Sequence, residues 1–146
     1  MPFTLDPRLH KDCHLMAESD RSLWLLLNNS HFPWLIIVPK TTQTELYMLT
    51  PQEQHALQQD SNLLSEFLTT HFCCDKLNVA SIGNIVEQMH LHIIARTKSD
   101  LCWPGVVWGT THKQPYKIED VIEIQNKLKL FCQQKMITLF EFAPPQ

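Results

Sequence analysis

Glycine is the scarcest structural residue here: only Gly83, Gly105 and Gly109 occur in 146 residues. Neither a G-x-G-x-x-G dinucleotide turn nor a G-x-x-x-x-G-K-[ST] phosphate loop can therefore be written in this chain. Charge is sparse as well. Charged residues make up 18%, and 12 Lys+Arg against 15 Asp+Glu leave a net charge of −3. With no cluster of Lys and Arg, a nucleic-acid groove is not expected. No apolar run approaches the roughly 20 residues that span a bilayer, so no membrane partner is expected either. The opening Met1-Pro2-Phe3-Thr4-Leu5-Asp6 lacks a basic stretch followed by an apolar one, which predicts no export and a cytoplasmic location. C-x-x-C is missing, which removes the zinc ribbon and the thioredoxin-type pair. The five cysteines (Cys13, Cys73, Cys74, Cys102 and Cys132) read as reduced thiols.

Hydrophobic residues reach 44%, enough for a real core, and the length suits one domain over residues 1–146. Residues 1–20 show no clean period. Residues 22–27 (S-L-W-L-L-L) form a strand-length apolar run that stops at Asn28-Asn29-Ser30. Residues 34–38 (W-L-I-I-V) form a second, closed by Pro39, so an antiparallel hairpin is predicted. Thr50-Pro51-Gln52-Glu53 reads as a capping box with Thr at N-cap and Glu at N3. Behind it Ala56, Leu57, Leu63, Leu64, Phe67, Leu68 and Phe72 keep helical spacing, with Asp60 on the same stripe. Short strands are predicted at 77–82 and 86–95, a loop at 102–116, a second amphipathic helix from Ile118, and a last short strand at 139–142. That second helix carries 118, 121, 122, 125, 128, 131 and 132 on its apolar stripe. The sum is an α+β fold: an antiparallel sheet, one long helix after the first hairpin, and one C-terminal helix.

The chemistry concentrates in Gln88-Met89-His90-Leu91-His92-Ile93-Ile94. Strict alternation on a strand sends Gln88, His90, His92 and Ile94 to one face, with same-face neighbours about 7 Å apart. Neutral imidazole is a nucleophile near neutral pH, and a second imidazole can donate hydrogen bonds to an anion. Two imidazoles at this spacing also supply two zinc ligands, or they are incidental surface residues. His10 and His14 would present two ligands if they lay on one helix, but without a partner pair they read as a solvated face. His31, His55, His71 and His112 read as surface residues. Trp103 and Trp108 are either base-stacking groups or buried loop anchors.

The stretch 83–94 resembles the histidine triad (HIT) family, whose strand motif H-φ-H-φ-H-φ-φ follows a G-Q-[ST]-V segment. Residues 32–40 (F-P-W-L-I-I-V-P-K) are similar to the family's P-x-H-φ-φ-φ-φ-P-[KR] strand, and Trp103-Pro104-Gly105 looks like its Trp-Pro element. The resemblance covers residues 20–108 and describes a divergent, bacterial-type Q-φ-H-φ-H member. It implies a nucleotide hydrolase or transferase acting at an α-phosphate through a nucleotidyl-histidine intermediate. The substrate would be a nucleoside phosphoramidate or a dinucleoside polyphosphate. By position His90 matches the attacking histidine and His92 the one that binds phosphate oxygens. Gln88, Asn84, Gly83 and Asn78 match supporting positions, and Asn28 and Trp34 lie on the nucleoside side. A homodimer is implied, and no cofactor or metal is expected. Three departures stand out: Gln88 replaces the first histidine, Trp34 a further one, and Ile85 a Ser/Thr that assists the leaving group. The rival readings are a nucleotide-binding module of weak catalysis and a His90–His92 zinc site.

Overall fold

Three largely apolar runs dictate the centre of the molecule. In the computed structural model, which describes residues 2–142 and 144, they are β2 (Ser22–Leu27), β3 (Trp34–Pro39) and β5 (Leu91–Arg96). Every residue of β3 and β5 is buried, because both faces of the sheet are covered. The edges are β1 (Cys13–Glu18) and β4 (Lys76–Ala80), giving an antiparallel sheet in the order β1-β2-β3-β5-β4. The α+β arrangement expected from the sequence is therefore present.

One face packs under α2 (Pro51–His71) and α3 (Ile118–Gln134), with Leu35, Ile37, Leu91, Ile93 and Ala95 meeting Leu64, Phe67, Leu68 and Leu128. Helix α2 starts where its capping box says: Thr50 Oγ1 accepts the Glu53 N–H at 3.1 Å. Its polar stripe residue is also accounted for. Asp60 is buried, ion-paired with Arg21, and accepts a hydrogen bond from Ser22 Oγ at 2.8 Å. Burial pushes its carboxyl above the usual range, while the Arg21 and Ser22 hydrogen bonds pull it down.

The other face carries a second core of Leu25, Trp34, Ile36 and Ile94. Leu9 of α1 (Pro7–Asp12), Phe3, Leu5, Val107 and Trp108 cover it.

Five expectations need correcting. Helix α1 and strand β1 lie in residues 1–20, where no period was visible: α1 has only six residues, and the pairing of β1 with β2 slips between Leu15 and Ala17, so Met16 breaks the alternation. The strand expected at 86–95 begins only at Leu91. In α3, Ile118 and Ile122 are exposed while Ile124 is buried. At 139–142 there is a single bridge, Glu18 to Glu141, beside which Phe140 stacks on Trp24 at 3.8 Å. His10 and His14 do not share a helix, since His10 lies in α1 and His14 in β1.

Candidate functional site: two imidazoles in opposite tautomers

Register places the candidate residues. His92 pairs with Ile36 on one side and Ala80 on the other, and Ile94 pairs with Trp34 and Asn78. Paired residues point the same way, so Trp34, Asn78, His92 and Ile94 share the face away from the long helices. His90 sits just before the strand, its ring 4.8 Å from that of His92 at 68°.

The partner of each ring fixes its proton. His90 Nδ1 lies 2.7 Å from the carbonyl oxygen of Gln88. A carbonyl only accepts, so Nδ1 carries a hydrogen, and in the neutral ring Nε2 keeps a free lone pair. At His92 the logic reverses. Its Nδ1 accepts the indole N–H of Trp34 at 2.9 Å, and an indole only donates, so the His92 proton is on Nε2. The two residues are 6% and 7% exposed. Neither Nε2 is among the buried polar atoms left without a partner, and neither is hydrogen-bonded to another described residue, so both reach solvent. One exposed nitrogen offers a lone pair and its neighbour an N–H, a pairing suited to attack on a centre whose oxygens need a donor.

Burial, then the nearby His90, lowers the His92 pKa to about 4, so this ring is neutral through the physiological range. Aromatic rings surround it. Trp34 and Trp108 meet His92 edge-on with centroids at 5.7 and 5.4 Å, and the two indoles are 5.8 Å apart. Trp34, 5% exposed, is a buried support of His92.

The remaining sequence candidates divide by what holds them. Gln88 is not on the strand: its side chain donates to the Thr4 carbonyl at 2.9 Å and accepts the Asp6 N–H at 2.8 Å. Gly83 takes a positive φ of 70°, at the start of the segment that also carries exposed Asn84. Asn78 spends its carbonyl oxygen on Arg96 Nη1 at 2.9 Å. Asn28 accepts from the Tyr116 N–H at 2.9 Å, and with Asn29, which donates to the His112 carbonyl, it ties down the 112–116 segment. The structure therefore brings together His90, His92, Trp34 and the Gln88 backbone, and engages Asn28 and Asn78 elsewhere.

Two features escaped the sequence reading. Arg96 is buried at the end of β5, where it grips Asp100 through two hydrogen bonds of 2.7 and 3.0 Å and the Gly105 carbonyl at 2.7 Å. Trp103 stacks against it at 5.7 Å. Hydrogen bonding from Arg96 holds the Asp100 carboxyl at about 2. An Arg and an Asp at i and i+4 where an apolar strand ends were the available signal. The second is the N-terminal segment, whose contacts with Gln88 are backbone contacts and leave no mark in residue types. As for metal, no group of three or more His, Cys, Asp or Glu able to hold an ion occurs among the described residues.

These features define a small α+β fold with a pair of histidines at the start of its β5 strand. A match of residues 8–99 to the HIT domain places the chain in the histidine triad family. A histidine triad protein from Marinobacter aquaeolei is 40% identical, with a TM-score of 0.84 over 90% of this chain and 97% of that one. A histidine triad protein from Sinorhizobium meliloti is 35% identical, with a TM-score of 0.84 over 88% and 96%. The fold is shared more distantly with diadenosine triphosphate hydrolase of Plasmodium falciparum, at 17% identity and a TM-score of 0.63 over 94% and 86%. No curated protein matches the chain.

Proposed function

We propose that this protein is a nucleotide hydrolase or transferase in which His90 Nε2 attacks the α-phosphorus of a nucleoside phosphoramidate or dinucleoside polyphosphate. The observation that carries the reading is the opposition of the two tautomers, a bare Nε2 on His90 beside an Nε2–H on His92. As the P–N bond to His90 forms, the bond to the leaving group breaks and its electron pair departs with that group. His92 Nε2–H donates to a non-bridging oxygen as negative charge grows there. The leaving group takes a proton from solvent. Water then attacks the nucleotidyl-histidine and returns a proton to solvent as the P–N bond breaks and Nε2 recovers its lone pair. Another acceptor in place of water makes the reaction a transfer. Gly83 and Asn84, on the segment leading into His90, lie on the phosphate side. The active form is a homodimer that covers the open edge of β4, where Val79, Leu46 and Tyr47 expose apolar surface.

The reading is tested by mixing wild type and His90→Ala, separately, with an adenylate phosphoramidate and a dinucleoside polyphosphate and following nucleotide release. Turnover by wild type and none by the variant supports it. Binding without turnover in wild type overturns it in favour of a binding module, a reading that exposed Ile85, 78% accessible and without a hydroxyl, would favour.

A further inference from the structure

We propose that residues 4–8 and the amide of Gln88 form a clamp that aims His90, making Gln88 a positioning residue of the histidine site and not a phosphate ligand. The inference rests on the nucleophile reading of His90, though half of its test needs no substrate.

The segment before His90 lacks what usually holds a strand residue. Pairing between β3 and β5 ends at Ile37 and Leu91, so residues 86–90 have no ladder to fix them. The N-terminal segment supplies the missing order. Gln88 Nε2 donates to the Thr4 carbonyl at 2.9 Å, and Gln88 Oε1 accepts the Asp6 N–H at 2.8 Å. A carbonyl and an N–H two residues apart lie on the same edge of an extended chain, and a primary amide presents a donor and an acceptor side by side. Gln88 therefore pairs with this backbone as a neighbouring strand would. An imidazole, whose two nitrogens point apart, does not match that edge.

The clamp is itself anchored. Asp6 Oδ1 accepts the Arg8 N–H at 2.8 Å, and Arg8 Nη1 donates to the Ile85 carbonyl at 2.9 Å, three residues before Gln88. Phe3, Leu5 and Leu9 pack into the same apolar cluster as Trp34 and Ile94, which fixes the segment to the face that carries His92. The consequence reaches His90 through one bond. With the Gln88 side chain held at both ends, its own carbonyl is directed at His90 Nδ1, 2.7 Å away, and that bond keeps Nε2 bare.

The test uses the full chain, as wild type, Gln88→Ala, Gln88→Glu and Arg8→Ala. Gln88→Glu keeps the acceptor for Asp6 and loses the donor to Thr4. Nitrogen-15 spectra of the histidines without nucleotide report the tautomers, with His92 as the internal fold control. The rate of nucleotide adduct formation then reports the chemistry. Gln88→Ala is expected to mix the His90 tautomers and slow the adduct about 10- to 100-fold, with far less change in nucleotide affinity. Gln88→Glu and Arg8→Ala should move both readouts part of the way. A folded Gln88→Ala with the wild-type tautomer and rate overturns the clamp. If Gln88→Ala does not fold, unchanged readouts in both other variants overturn it. If wild type forms no adduct while Gln88→Ala still mixes the tautomers, the clamp stands and the nucleophile reading falls.

Discussion

His90 and His92 are two residues apart on one chain, yet a carbonyl faces one Nδ1 and an indole N–H the other. Trp34→Phe keeps the packing and deletes the donor, so His92 is released to sample both tautomers. Adduct formation at His90 is expected to slow about tenfold, the value of one hydrogen bond of ~1.4 kcal/mol, with Tm little changed. The pH dependence of stability follows from the same burial. His92 has a folded pKa of about 4 against an ordinary 6.5, so below pH 6.5 the unfolded chain takes up a proton that the folded one refuses. Stability is then lost as pH falls from 6.5 towards 4, by about 3 kcal/mol for this group. Asp60, with a raised folded pKa, works in the opposite direction. Comparing wild type with His92→Gln by urea unfolding across this range isolates the histidine. The wild-type curve should fall more steeply, and parallel curves would refute the assignment.

At the scale of the elements, legibility in the sequence followed local signals. The hairpin of β2 and β3 could be read because apolar runs of strand length are separated by Asn-Asn-Ser, and α2 because its cap and stripe agree. Here Thr50→Ala should cost about 1 kcal/mol in urea unfolding. Asp60 on the stripe looked like an interruption, since Arg21 and Ser22, its partners, lie nearly forty residues away. Asp60→Ala takes the acceptor from buried Ser22 and the ion pair from half-buried Arg21 and should cost about 2 kcal/mol by the same measurement. What stayed hidden was non-local in the same way. Ile85 and Gln88, ahead of β5, are bonded to the distant N-terminal segment, and β1 was masked by its bulge at Met16. For the site, the nearness of the His90 and His92 rings was legible in their i, i+2 spacing, though His90 lies ahead of the strand. The roles of Trp34 and Gln88 were not, because each depends on what the fold sets against its polar atoms.

Across the whole molecule, the two sheet faces divide the labour: one carries the long helices and most of the core, the other the histidines under a thin cover of N-terminal segment and loop. No helix among the described residues is long and apolar enough to cross a membrane. The open edge at β4 belongs to this scale. If the proposed dimer forms across this edge, Val79→Lys should shift it towards monomer in light scattering while leaving the sheet intact by circular dichroism. The most direct test of the whole account is intact-mass spectrometry of wild type and His90→Ala after brief exposure to a dinucleoside polyphosphate, quenched in alkaline denaturant to preserve a P–N bond. The account predicts a wild-type adduct of one nucleoside monophosphate, mapping to His90 and absent from the variant. An adduct that persists in His90→Ala, or turnover by wild type with none ever formed, would contradict it.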